Sequence, residues 1–280
     1  MSNTFSVSKA IKERYSVRTY SKQPISDEIK KQIIDYSDSL RNPFNVKINF
    51  RFIEKSSSEN AEKLGTYGFI KGADLFIGAT VPKVKCAQEA LGYDFEKLIL
   101  YITSLGLGTC WLGGTFNKSA FAEEMRVNEN ELFPIITPVG YPAQKPRYAE
   151  KIFRRSLNAD NRLEWNELFF FNNFSSPLNK EIIGKYNDPL EMLRLAPSAK
   201  NKQPWRVIFD GTAFHFIQMF SHGDNDGSGQ EMHRIDMGIT LCHFHLITLE
   251  EKLSGYFKTY DNLDFDIPEG ASYITSWVLN

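Results

Sequence analysis

Cysteine is scarce in this chain: Cys86, Cys110 and Cys242 are the only three in 280 residues. They share no short paired spacing, which excludes a disulfide framework and a zinc knuckle. Cys110, beside Trp111, reads as a small buried apolar residue. Long apolar runs are missing as well. No segment reaches the roughly 18 uninterrupted apolar residues of a membrane span, and the opening "MSNTFSVSKAIKERYS" lacks the apolar centre of a signal peptide. The chain is therefore expected to be soluble and cytoplasmic, with no membrane partner. An excess of one charge is absent too: 33 Lys and Arg stand against 34 Asp and Glu, for a net charge of −1. That balance argues against nucleic acid as a partner and leaves room for a local positive pocket. Only five histidines are present. His243 and His245, two apart on a predicted helix, point to different sides, and Asp236 after His233 offers a local pair; with His222 these make no ligand set, so no metal is expected.

What is present is a mixed order of helices and strands long enough for one large domain or two ordinary ones. "SDEIKKQIIDYSDSL" (26–40) predicts a helix capped by Ser26, with acids in its first turn and Ile29, Ile33 and Ile34 on one face. "NFRFIEK" alternates like a strand, and "ADLFIGATV" reads as a buried one. From Cys86 to Leu105, apolar residues at three- and four-residue spacing predict a central helix closed at Gly106 and Gly108. "LFPIITPVG" is a further strand, and the polar stretch from Tyr148 to Arg162 marks a domain boundary.

Beyond that stretch the order recurs. "SPLNKEIIGKY" parallels "QPISDEIKKQI", and Pro177 to Val207 spans 30 positions where Pro24 to Phe52 spans 28. A second long helix is predicted from about Arg234 to Leu253, and both halves end on a strand, "FPIITPVG" and "SYITSWVLN". This is a repeat of elements more than of letters, and it divides the chain into 1–162 and 163–280.

Two segments carry chemistry. "AIKERYSVRTYS" places Arg14 and Arg18 four apart with Tyr15 and Ser16 between. At helical spacing the two guanidinium groups share a face, and a phosphate would satisfy them, because arginine presents forked donors that match its oxygens. A solvated helix face with Lys12 and Glu13 offsetting the charge fits the same letters. The second segment, "RLAPSAKNKQPW" (194–205), joins Pro197 to Ser198, Lys200, Asn201 and Gln203 and closes on Trp205, a shape suited to a flat polar ligand. Asn201 can equally cap its own loop, and Trp205 reads as a core anchor.

Together, R-x-S-x-R near the start, A-P-S-x-x-N-x-Q-P-W before a strand, a long helix ending in G-L-G-T and a following Gly-Gly resemble the nitroreductase family, in its subgroup called the putative TM nitroreductases. The resemblance implies an α+β nitroreductase-like fold and FMN-dependent reduction. NADH or NADPH would pass hydride to the flavin, and a nitroaromatic, quinone or similar small acceptor would then be reduced. In the family one subunit supplies the arginine-serine motif for the FMN phosphate and its partner supplies the P-S-x-x-N loop. Here "LRNPFNVKINF" keeps Pro43 but has Phe44 at the serine position, while "FFFNNFSSPL" stands where a second arginine motif belongs. Each half has lost one side of a site, so two tandem halves forming an intramolecular pseudo-dimer are expected, with a monomer sufficient for binding.

The resemblance carries phosphate contacts onto Arg14, Tyr15, Ser16 and Arg18, and flavin contacts onto Pro197, Ser198 and Asn201. Backbone N–H groups of Leu112, Gly113 and Gly114 in "CWLGG" fall near the ring, since glycine permits close approach of main chain. Arg162 in "NRLEW" returns to the phosphate, with Arg154 and Arg155 as competitors. No catalytic acid or base is implied. Two other readings fit the same residues: a flavin-binding protein without turnover, its ring face closed by Phe44 or the "FFFNNF" run, and a cofactor-free structural domain.

Overall fold

A computed structural model describes residues 5–145, 147–219 and 228–280. It divides into two compact units, Lys12–Asn158 and Ala159–Asn280, with the described residues up to Ile11 belonging to the second. Helix α1 (Val7–Glu13) lies across the first junction.

In the Lys12–Asn158 unit, α2 (Asp27–Ser39) starts where expected: the Ser26 hydroxyl accepts from the Ile29 N–H, and Asp27 and Glu28 complement the positive helix end. Ile33 is fully buried, but Ile34 is exposed, so the apolar stripe is narrower than the sequence suggests. Strands β1 (Asn49–Glu54), β2 (Leu75–Pro82), β3 (Gly108–Thr109) and β4 (Glu131–Gly140) pair antiparallel in the order β1-β2-β4-β3. Between β2 and β3 runs α3 (Ala87–Ser104). Its end is a Schellman closure: Gly106 at φ +78° sends its N–H to the Thr103 carbonyl, and Leu107 sends its own to Ile102. Short α4 (Lys118–Glu124) and α5 (Tyr148–Ser156) complete the unit. Its core gathers Phe76, Phe116, Phe121, Met125, Phe133 and Ile136.

The second unit repeats this strand order with one addition. α6 (Trp165–Leu168) leads into β5 (Phe169–Phe171), and a helical stretch follows, cut by Gly184 at φ +49° into α7 (Lys180–Ile183) and α8 (Asn187–Arg194). Strands β6 (Trp205–Phe209), β7 (Ala213–Met219), β8 (Gly255–Lys258) and β9 (Ala271–Leu279) form the antiparallel series β6-β7-β9-β8, and β5 adds in parallel to the β6 edge. Part of the "FFFNNF" run is thus an edge strand. Its outer side is closed by the chain's own return, through Phe171 N–H to Ser176 O and Leu178 N–H to Phe169 O. Helix α9 (Ser228–Glu250) crosses this unit, beginning earlier than the sequence pattern indicated. At its far end Glu250 clamps the start of α1, accepting the Val7 N–H at 2.7 Å and the Ser8 N–H at 3.0 Å.

α9 also ends in a Schellman closure, Leu253 N–H to Thr248 O at 2.8 Å and Lys252 N–H to Leu249 O at 3.2 Å, but its left-handed residue is Lys252 at φ +57°. A side chain there meets its own carbonyl, which glycine avoids. Lys252→Gly should therefore raise stability by about 0.5–1 kcal/mol, read as a higher urea midpoint with an unchanged slope.

Candidate functional site

The arginine motif is not helical. α1 stops at Glu13, and from Ser16 to Tyr20 the chain makes strand-like bridges, with Ser16 bridged in parallel to Thr109 and the Val17 N–H donated to the Thr109 carbonyl at 2.8 Å. The helical spacing expected for Arg14 and Arg18 is thus not found. In the strand-like stretch positions 16 and 18 share one side. Val17, on the other side, is buried against Gly108, where an added Cβ would lie 2.5 Å from a Val17 methyl. Gly108 is what lets the motif lie along β3.

Helix α5 fixes the motif from its other end. The buried Glu150 carboxylate accepts the Arg18 N–H at 3.3 Å and the Thr19 hydroxyl at 2.9 Å. Arg147 donates to Thr19 Oγ1, Gly68 O and Phe69 O at 3.2, 3.1 and 2.9 Å. The Arg18 guanidinium then lies 5.1 Å from the Phe69 ring centre and 4.8 Å from that of Phe153. These two rings meet edge to face, and they hold the cation without neutralising it.

Arg14 faces α3. Its Nε is 3.7 Å from Glu96 Oε1, and Trp111 Nε1 donates to Glu96 Oε2 at 2.8 Å, so one buried carboxylate ties the motif to "CWLGG". The buried Cys110 thiol neighbours the motif. Burial pushes it above its ordinary range, opposed by Arg18, by a hydrogen bond with the Ser16 side chain and by Arg14. Tyr15 is on the outer side, 47% exposed, with the Arg154 guanidinium 5.9 Å from its ring centre.

Among the described residues, Arg14 Nε and Arg18 Nε are buried and meet no hydrogen-bond acceptor. The Glu150 oxygens go to Arg18's main chain and to Thr19, leaving the Arg18 guanidinium with one 3.4 Å bond to Ser16 O. Buried cations with open donor positions call for an anion.

In "CWLGG", Leu112 is a core residue whose N–H donates to Ile136 O at 3.0 Å, so that amide is already engaged. Gly113 is half-buried and Gly114 exposed. At Gly114 an added Cβ would meet nothing within 4 Å, so the protein's own packing does not demand glycine there.

The Pro197–Trp205 loop is held within its own unit. Pro197, Ser198 and Asn201 are half-buried, and Trp205 is fully buried in the core. The Ser198 hydroxyl accepts the Gln203 N–H at 2.9 Å. Asn201 uses both ends of its amide, Oδ1 accepting from Arg162 at 3.4 Å and Nδ2 donating to Asn161 O at 3.1 Å. Arg162 donates besides to Leu195 O, Ala159 O and Asn161 O. The structure thus places Arg162 as a buttress of this loop.

Two further clusters are structural. His215 joins Ser276 Oγ through Nδ1 at 2.7 Å and Asp210 through Nε2 at 2.8 Å, but Ser276 is fully buried in β9 and its hydroxyl lies 2.6 Å from that of Tyr273, so it is no nucleophile. Of the other histidines, His243 meets Met192 O, His245 packs on Phe257 and Trp277, and His233 pairs with Asp236. His222 lies outside the described residues. Among the described residues no three His, Cys, Asp or Glu could hold a metal ion, and no helix is long and apolar enough to cross a membrane.

Glu150, Arg147, Phe69, Phe153 and Glu96 are supporting residues that sequence reasoning passed over. The first and fourth sit in the charged stretch read as a boundary, where the signal was Glu150 and Phe153 three apart on one helix turn.

A family model described as Putative TM nitroreductase matches residues 6–248. Among solved structures, a nitroreductase from Thermotoga maritima is similar over 100% of this chain and 96% of its own, with TM-score 0.61 and 20% identity. A nitroreductase from Desulfovibrio desulfuricans, solved in complex with FMN, covers 54% of this chain and 96% of its own, with TM-score 0.43 and 22% identity. An NADH oxidase from Clostridium acetobutylicum covers 49% and 89%, with TM-score 0.41 and 20% identity. No curated protein matches.

Proposed function

The chain belongs to the Putative TM nitroreductase family, and from that premise we propose that it is an FMN-dependent oxidoreductase using NADH or NADPH to reduce a small acceptor such as a nitroaromatic or quinone. The observation that carries the reading is the pair of buried arginine Nε atoms that meet no hydrogen-bond acceptor among the described residues, Arg14 having only the longer ion pair to Glu96, in the non-helical R-x-S-x-R segment. An FMN phosphate matches this donor set in charge and geometry.

Arg14, Ser16 and Arg18 hold the phosphate in this reading. Glu96 steadies Arg14, and Glu150 with Arg147 fixes the backbone from which Arg18 projects. When bound, FMN supplies the hydride and electron chemistry, and the protein supplies position and electrostatics. Gly114, free of packing constraint, suits main chain that must admit a flat ring. Pro197, Ser198 and Asn201 form the second flavin-binding segment, with side chains fixed in place before any ligand arrives. No side chain is assigned as acid or base. The recurrence of the β1-β2-β4-β3 order as β6-β7-β9-β8 supports a tandem of two nitroreductase-like halves, 1–162 and 163–280.

The test is an absorbance spectrum of the purified protein, followed by anaerobic NADPH or NADH. A flavin band that bleaches with nicotinamide and returns with an acceptor is the expected result. A band that persists would mean flavin binding without turnover. Colourless protein that takes up no added FMN would overturn the cofactor assignment.

A further inference from the structure

Within four residues the 198–203 loop places three non-glycine residues in the left-handed region, Lys200 at φ +52°, Asn201 at +56° and Gln203 at +49°. Such backbone persists only where its surroundings over-determine it, and it gathers at ligand clamps. The loop's internal bonds, Asn201 N–H to Ser198 O and Lys202 N–H to Ala199 O, define its turn without tying it to the rest of the unit. Asp236 and Arg162 are chief among the described groups that do that. Asp236 of α9, 2% exposed, points both carboxylate oxygens at the Ala199 N–H, at 3.0 and 3.2 Å, and is itself held by His233 Nδ1 at 3.1 Å. Arg162 grips the loop from the other side through Leu195 O and Asn201 Oδ1. Gln203 adds a link to the same segment, its Oε1 accepting the Leu163 N–H at 2.8 Å.

We infer that Asp236 and Arg162 are positioning residues for flavin binding, which hold the Ser198–Gln203 loop in its left-handed form so that its exposed side meets the flavin body already shaped. This rests on the FMN reading above and deepens it. It also moves Arg162 from the phosphate to the loop. A carboxylate suits the α9 position because a lone backbone N–H at a strained turn is held best by a charged acceptor. Preorganisation makes such an anchor matter for affinity, since a loop that must be ordered on binding loses part of the binding energy to that ordering.

The experiment titrates FMN and riboflavin, which lacks the phosphate, into the apoprotein of the wild type, Asp236→Ala, Asp236→Asn and Arg18→Ala, with urea unfolding to show that each variant is folded. Asp236→Ala is expected to weaken both flavins by the same factor, about tenfold or more, as befits a lost charge-assisted hydrogen bond. Asp236→Asn, which keeps an acceptor oxygen but loses the charge, should weaken both flavins by one smaller, still measurable factor and serves as the variant of record if the alanine form fails to fold. Arg18→Ala should weaken FMN and leave riboflavin unchanged. The inference is overturned if a folded Asp236 variant binds both flavins as the wild type does, or loses FMN alone. If the wild type binds neither flavin, the cofactor reading itself has failed and this inference goes with it.

Discussion

Arg18→Ala is expected to weaken FMN binding by about 1.5–3 kcal/mol, a fall of roughly 10- to 150-fold in affinity, the range for a hydrogen bond to a charged group. The magnitude follows from where the guanidinium sits. Two phenyl rings and a main-chain carbonyl surround it, its Nε has no acceptor among the described residues, and the Glu150 carboxylate is occupied by the Arg18 N–H and the Thr19 hydroxyl. An arriving phosphate would therefore meet a donor that no carboxylate has already satisfied. Arg18→Lys should recover only part of the loss, because a point charge lacks the planar fork. Fluorescence titration of the apoprotein reads both values, and wild-type affinity in the alanine variant would remove Arg18 from the site.

Asp94→Asn should stabilise the protein by up to about 3 kcal/mol at pH 8 and by almost nothing at pH 4. Asp94 of α3 is buried, and burial lifts its carboxyl from the ordinary 3.8 to about 6 against the pull of the Asn42 hydrogen bond. Oδ2 accepts from Asn42 Nδ2 at 2.7 Å, while Oδ1 is buried without a donor among the described residues. Because the folded value is raised, the folded chain keeps the proton between pH 3.8 and about 6 while the unfolded chain releases it. Stability accordingly falls as pH rises through that window, by about 1.4 kcal/mol per unit, and stays low above it. Asparagine imitates the neutral carboxyl and keeps an oxygen for Asn42. Urea midpoints of wild type and variant should coincide near pH 4 and diverge above pH 6; equal midpoints at pH 8 would show that the buried charge is stabilised by something else.

Long periodic elements were legible in the letters. The apolar spacing of α3 and the Ser26 cap of α2 act locally, so sequence alone places both within a residue or two. The motif at Arg14 was read with the wrong period. Its signal for extended chain was present, since polar Arg14, Ser16 and Arg18 alternate with Tyr15, Val17 and Thr19. The preceding helix obscured it, and what settles the matter is a distant partner, the Thr109 carbonyl in β3. Asp236 and Glu150 were out of reach for the same reason: each serves a main-chain N–H far away in sequence, 37 residues off at Ala199 and 132 off at Arg18. Trp205 as core anchor was readable because a large ring before an apolar strand has few other places to go.

The Glu250 clamp on Val7 and Ser8 bears on how this polypeptide could be dissected. The repeat suggests a seam near residue 162, yet a fragment ending there would release the first helical turn from its carboxylate. That turn lies only a few residues ahead of Arg14. Expressed separately, the two pieces should each lack something the other encodes, whereas mixing them could restore it by complementation. The strand order recurs from one sheet to the other, while the amino-terminal helix depends on a carboxylate encoded near the far end of the chain.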